Sequence, residues 1–375
     1  MQLSAKKTQV LFITFFLGFI TILALLLLKN LYSNKEGLKD KIFTDNPSQQ
    51  VEIFIKDNFP GNLYFRDLKG IVYNILNKNI LENFQFLKDD IGVVRIVTTD
   101  NRQRTIADSL KKIKDRTGND TPVIFINIPD TQKHLKFKLM TLEGGETEIL
   151  NDEVRKAGIE ILDLNQMKIP LNDFWFQTDL HISTDAEILI LNQIIKYLKQ
   201  YHHNNFASLE SFDLTHYESR SYPFIGNTSR NAGSFYTSID KFLIYTPKSE
   251  MKFTFKNLDN GYFREGTFEQ AVLNGMSEQE LKNKYSYKVV DYGSFTSRLY
   301  QIQNLTSNNK IKVLVICDSI FMRGFSYLAT LVSNVTIFDP RFNSDINFLG
   351  EYLDNNYVDV VLCLGISKSF FRSPF

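Results

Sequence analysis

Between residues 311 and 364 the chain alternates in a way that few folds permit. The apolar run IKVLVIC at 311–317 precedes a helical stretch near 322–332, the run NVTIFD at 334–339, a second helical stretch near 345–355, and VDVVLCL at 358–364. Short apolar runs without polar alternation are strands covered on both faces. Strands that alternate with helices pair in parallel through right-handed crossovers. The expectation is an α/β fold with a doubly wound, mostly parallel sheet flanked by helices. Upstream, IGVVRIV at 91–97, TPVIFINIPD at 121–130 and IEILDL at 159–164 also read as strands, with helices over 104–116 and 145–157. From Thr184 to about Tyr201, Ile188, Leu189, Leu191, Ile194, Ile195 and Leu198 recur at helical spacing behind Ser183 or Thr184 as capping candidate, the face of a helix lying on a core.

Residues 205–310 break this rhythm. FLIYTP, MKFTFKN and KYSYKVVDYGSF run as short strands among many Asn, Ser and Gly residues, so the segment reads as a β-rich insertion between two α/β portions. At the other end of the chain, Val10 to Leu28 contains no charge, and only two threonines and one glycine interrupt its apolar residues. As a helix, that run approaches the roughly 30 Å of hydrocarbon in a bilayer. KNLYSNKEG at 29–37 offers no small-x-small cleavage site, which favours an uncleaved anchor over a signal peptide. The expected organisation is an anchor over 1–30, a polar tether over 31–50 and one α/β domain over 51–375. A very short tail ahead of a large folded domain marks a signal anchor that sends the domain out of the cytoplasm.

Composition excludes some functions. With 43 Lys and Arg against 42 Asp and Glu, there is no basic excess for nucleic acid to read. The two cysteines, Cys317 and Cys363, sit in expected core strands and read as buried thiols. No internal repeat, zinc-type cysteine spacing or phosphate-binding glycine loop occurs, so no metal or cofactor is expected.

Chemistry is expected where VLVICDSIF at 313–321 sets Asp318 and Ser319 beyond a buried strand, because open α/β sheets bind ligands past the carboxyl ends of their strands. Of five histidines, His202 and His203 end a helix, where a cation suits the dipole, and His134 and His216 have ordinary surface explanations. His181 differs. In FWFQTDLHIS at 174–183, Asp179 stands two residues before it, close enough to hold the imidazole in one tautomer. The competing structural reading is a helix cap at Asp179 with a surface histidine. If both segments reach one edge of the sheet, Ser319 is the nucleophile, His181 the general base and then acid, and Asp179 the orienting carboxylate. Asp318 is then a polar anchor for the loop backbone. The G-x-S-x-G elbow of α/β-hydrolases is absent.

VLVICDSIF resembles the GDSF block that carries the serine of SGNH-type esterases, and TDLHIS resembles their DxHW block. Here the Asp-x-His block comes first. That order, behind an N-terminal anchor, resembles the DHHW and alginate O-acetylation (AlgJ/AlgX-like) proteins, loosely over residues 51–375 and including NLYFRD, RNAGSFYTS at 230–238 and IFDPRF at 337–342. The resemblance implies an SGNH-like fold and a triad of Asp179, His181 and Ser319. It also implies an extracytoplasmic O-acetyltransferase that passes an acetyl group through an acetyl-serine to a cell-surface or exported polysaccharide. A membrane-embedded acyl-transfer partner would be the donor. The Ser319 N–H is the natural first oxyanion donor, with Gly233 and Arg230 in RNAGS as further candidates. The alternatives are a polysaccharide acetyl esterase of the same fold, or a catalytically silent glycan-binding scaffold in an export complex. Cys317 stands where the family has glycine and Ile182 where it has tryptophan. A glycine lets the backbone bend or approach closely, so a cysteine there is expected to alter the serine's turn.

Overall fold

The computed structural model describes residues 5–33, 62–76, 80–81, 84–87, 92–95, 103–118, 120–128, 146–164, 174–179, 181–226, 239–284, 299–340 and 346–365, with isolated positions at 51, 59 and 230. Most of the expected tether, His134, KYSYKVVDYGSF after its Lys284, and Gly233 lie outside the described residues. The chain divides into two compact units, residues 1–77 with 232–236, and residues 78–231 with 237–375.

The first unit holds α1 (Ala5–Ser33) and α2 (Asn62–Ile75). With 29 residues, α1 rises about 44 Å, more than the roughly 30 Å of a bilayer's hydrocarbon. Its segment Ile13–Ser33 is long and apolar enough to cross a membrane, and none of it is buried.

The second unit begins with a small antiparallel sheet of β1 (Ile80–Leu81), β2 (Phe84–Leu87) and β3 (Gly92–Arg95). There follow α3 (Gln103–Thr117), β4 (Val123–Asn127), α4 (Glu146–Lys156), β5 (Glu160–Asp163) and α5 (Thr184–Tyr201). The β-rich stretch supplies β6 (Tyr217–Phe224), β7 (Asp240–Pro247), β8 (Phe253–Asn257), β9 (Phe263–Gly266), the short α6 (Glu278–Lys282) and β10 (Leu299–Asn304). The last portion is β11 (Lys312–Ile316), α7 (Met322–Leu328), β12 (Asn334–Phe338), α8 (Ile346–Asn355) and β13 (Val360–Gly365).

Eight strands form the main sheet in the order β5-β4-β13-β11-β12-β10-β8-β9. The pairs from β5 through β12 are parallel, in registers such as Val313 opposite Val335 and Val360. β10, β8 and β9 extend the sheet antiparallel, so the β-rich segment is present and three of its strands continue the sheet, β10 bonding directly to β12 of the α/β portion. β6 and β7 pair separately with each other.

Period-two side-chain direction explains the layers. Val313, Val315 and Cys317 face one side, which α5 and α7 cover; Leu314 and Ile316 face the other, under α3, α4 and α8. A strand buried on both faces has no position for a polar residue, which is why β11 and β13 read as unbroken apolar runs. Of the apolar residues expected on the core face of α5, Leu189 is left exposed, on the side of the helix away from the sheet. Cys317 and Cys363 belong to opposite core layers and neither is in a disulfide, and burial pushes the Cys363 thiol up. After β11 the chain passes to β12 on one side, then returns as β13 on the other. The carboxyl end of β11 therefore opens on a topological switch point, where such sheets form a crevice.

Candidate active site

Ser319 stands three residues past the end of β11, in a 3₁₀ turn over Ser319–Phe321 that leads into α7. The turn is anchored from behind. The Cys317 N–H donates to the Phe338 carbonyl at 3.1 Å, and Cys317 and Asp318 are buried while Ser319 is half-buried. Among the described residues Asn274 is the sole non-glycine with a positive φ, so Cys317 makes this bend from ordinary backbone geometry. The glycine of the GDSF block is not required for it here, and the expected alteration at Cys317 does not take the form of a left-handed backbone.

The Asp-x-His block is a tight hairpin. Trp175 bridges antiparallel to Ile182, the Phe176 N–H donates to the His181 carbonyl at 3.2 Å, and the Ser183 N–H donates to the Phe174 carbonyl at 2.9 Å. Ser183 then caps α5, its side chain accepting from the Ala186 N–H at 3.3 Å. Asp179 is thereby excluded as that helix's cap, and its carboxylate does something else. Asp179 Oδ1 accepts the backbone N–H of His181 at 3.0 Å and pairs with His181 Nδ1. Asp179 is 3% and His181 7% exposed, so the pair is shielded from solvent. A carboxylate on Nδ1 holds the ring in the tautomer whose proton lies on Nδ1.

Three residues outside the sequence expectations hold this hairpin. Asp240, at the start of β7, accepts the Gln177 N–H at 3.0 Å, the Thr178 N–H at 2.8 Å and the Thr178 hydroxyl. Burial raises the Asp240 carboxyl, those donors pull it down, and the charge of Asp179 pushes it up again. Gly226 follows β6, and its N–H donates to Thr178 Oγ1 at 2.8 Å while its α-carbon lies against Asp179. Arg323, one turn beyond Ser319 in α7, is 1% exposed and donates through Nη2 to the Ile182 carbonyl, the residue after His181. Its guanidinium also bonds Glu187 of α5, at 3.3 Å from Nε and 3.2 Å from Nη2 to Oε1. Burial raises the Glu187 carboxyl, while Arg323 opposes the rise. Neither Arg323 nor Glu187 was expected from the sequence; the signal for Arg323 is its place as the one charge in MRGFSYL, whereas Glu187 shares the first turn of α5 with Asp185 and looks like an ordinary surface acid. Asp240 and Gly226 carried no local signal.

The structure thus joins Asp179 and His181 directly, and it ties their hairpin through Arg323 to the helix that follows Ser319. Arg230, half-buried, bonds by its N–H to the Gly226 carbonyl at 2.9 Å, on the Asp179 side of the site. Among the described residues no group of His, Cys, Asp or Glu is disposed to hold a metal ion.

Asp240→Ala is expected to loosen this arrangement measurably. It removes the acceptor for three donors, each hydrogen bond to a charged group contributing about 1.5–3 kcal/mol, but it also relieves the burial of a carboxyl. A net loss of about 2 kcal/mol is expected by denaturant unfolding, with Asp240→Asn losing less.

No family model and no curated protein matches the chain. Solved structures do. Bacillus cereus PatB1 superimposes with a TM-score of 0.58 at 20% identity over 78% of this chain and 98% of its own. The same protein with a sulfonyl adduct gives 0.59 at 18% identity over the same shares. A DHHW family protein from Eubacterium siraeum gives 0.54 at 12% identity over 78% of this chain and 94% of its own. With its mostly parallel sheet and its α-helical layers on both faces, this chain has the α/β fold of that DHHW family protein and of PatB1.

Proposed function

We propose that the protein is a membrane-anchored, extracytoplasmic O-acetyltransferase acting on a cell-surface or exported polysaccharide. The observation that carries this reading is the buried Asp179–His181 pair, tied by Arg323 to the segment bearing Ser319. The resemblance of both blocks to the DHHW and alginate O-acetylation proteins supplies the acyl chemistry. In the mechanism, Ser319 Oγ attacks the carbonyl carbon of a donor acetyl ester as its proton passes to His181 Nε2, the nitrogen opposite Asp179. The tetrahedral oxyanion is stabilised by backbone donors at the Ser319 turn, with Arg230 and Gly233 as supporting candidates. Collapse breaks the bond to the donor oxygen, which takes the proton from the imidazolium and leaves acetyl-Ser319. A sugar hydroxyl then attacks, again giving its proton to His181, and free Ser319 returns. Water in place of the sugar yields acetate, so exclusion of water separates transferase from esterase.

α1 would hold the domain at the membrane, near an acyl-transfer partner embedded there. Deleting residues 1–30 is expected to leave hydrolysis of p-nitrophenyl acetate within about 3-fold while abolishing polysaccharide acetylation in cells, since tethering multiplies local concentration without adding a contact. The direct test is labelling of the full-length chain by an aryl sulfonyl fluoride. A single adduct on Ser319, lost in His181→Ala, is the expected result. A wild-type chain that neither labels nor turns over an acetyl ester would refute the enzymatic reading.

A further inference from the structure

The Arg323–Glu187 pair poses a question that folding stability does not answer. Both residues are essentially unexposed, Arg323 at 1% and Glu187 at 0%, and Arg323 Nη1 and Glu187 Oε2 have no hydrogen-bond partner. Burying two charges costs more than an apolar pair of the same volume, and an unpartnered buried donor adds to that cost. What the pair does gain is connectivity. From one guanidinium, Arg323 reaches three pieces of the fold: the hairpin, at the Ile182 carbonyl and the face of Phe176 (5.2 Å), α5, at Glu187, and β7, at the face of Phe242 (5.1 Å). Glu187 also lies close to Gly324 in α7 and to His181. The elements so joined carry the candidate base on one side and the candidate nucleophile on the other.

We propose that Arg323, held by Glu187, is a positioning residue that sets the His181 hairpin at a fixed distance and angle from the Ser319 turn. The proposal rests on the acyl-transfer reading above for its kinetic consequence, and on geometry alone for its structural one. α7 is a single short helix after a 3₁₀ turn, and nothing covalent links it to the hairpin. A bidentate, planar guanidinium is suited to fixing both separation and orientation, whereas a lysine ammonium can satisfy one partner at a time. Displacing a proton acceptor by about 1 Å costs on the order of 100-fold in rate.

The test uses the full-length chain in detergent and the variants Arg323→Met with Glu187→Met, and Arg323→Lys. In the double methionine variant, kcat for p-nitrophenyl acetate is expected to fall about 10- to 100-fold with KM within about 2-fold and the melting temperature unchanged, since the removed interaction acts on alignment and not on ester binding. Arg323→Lys should recover part of the loss. Hydrogen exchange of the peptide over 174–183 should quicken in both variants, with β4 unaffected. Wild-type kcat in the double variant, or unchanged exchange over 174–183, overturns the proposal. If the double variant fails to fold, the same two readouts on Arg323→Lys decide. If the wild-type chain shows no Ser319-dependent turnover, the acyl-transfer reading falls, and the exchange readout alone upholds or overturns the positioning role.

Discussion

Ser319→Ala is expected to lower acetyl-ester turnover by about 10⁴- to 10⁶-fold and to leave the fold intact. The reasoning starts from the roles that a nucleophile and its base share. Without Ser319 Oγ no acyl intermediate forms, and what remains is stabilisation of the oxyanion by backbone groups with water attacking directly. Because Ser319 and His181 would act as one unit, His181→Ala should cost nearly as much as Ser319→Ala, and the double variant little more than either. Asp179→Asn is the more diagnostic change. Asp179 Oδ1 accepts from both the backbone and Nδ1 of His181, so an amide in its place either keeps both bonds through its oxygen while losing the charge that stabilises the imidazolium, or turns to present a donor to both and favours the wrong tautomer. A loss of about 10³- to 10⁴-fold is expected there. Half-buried Ser319 makes its alanine variant structurally mild, within about 0.5 kcal/mol. Retention of a tenth of wild-type turnover by Ser319→Ala, with burst kinetics preserved, would assign the nucleophile elsewhere.

How far the sequence foretold this arrangement depended on the range of each signal. The alternation over 311–364 was legible because strand and helix periods are local, and β11, α7, β12, α8 and β13 follow it within a few residues. Helix α5 spans the residues that its apolar spacing marked, from Thr184 to Tyr201. The β-rich segment was also legible, but its attachment was not. Phe255 faces Ile302 across β8 and β10, and Ile302 faces Val335 across β10 and β12, so the strands join the sheet through partners far apart in sequence. The Asp-x-His pair was ambiguous because a cap and a triad carboxylate look alike in one dimension. It is resolved by Ser183, which takes the cap, and by the hairpin hydrogen bonds that turn Asp179 toward the imidazole. Arg323 could have been suspected: a lone cation in MRGFSYL either faces water or meets a buried anion. Which anion it meets is a tertiary fact.

Gly226→Ala is expected to be the most damaging single methyl in the second unit. A Cβ built there would lie 2.2 Å from Asp179 Cβ, 2.4 Å from Asp179 Oδ2 and 2.6 Å from the Thr178 carbonyl oxygen. Two of these three atoms belong to the backbone or are rigidly attached to it, so no rotamer change relieves the contact. Nor is the hairpin able to drift away, since Asp240 holds Gln177 and Thr178 from one side and Arg323 holds Ile182 from the other. Gly226 has an ordinary φ, so replacing it would otherwise stabilise the chain by about 0.4–1 kcal/mol through the unfolded state. Overpacking of this kind costs about 1–3 kcal/mol and here exceeds that gain, for a net loss of about 2 kcal/mol. For a unit of this size that corresponds to a fall of about 3 °C in melting temperature. The kinetic loss should be larger than stability alone gives, because the atom displaced is the carboxylate that orients His181: about 100-fold or more in kcat on the folded fraction. The two losses separate cleanly at a temperature well below the transition, where nearly all molecules are folded. If Gly226→Ala kept both the wild-type melting temperature and wild-type turnover there, the segment just after β6 could not press on the Asp179 side of the hairpin as it does in this fold.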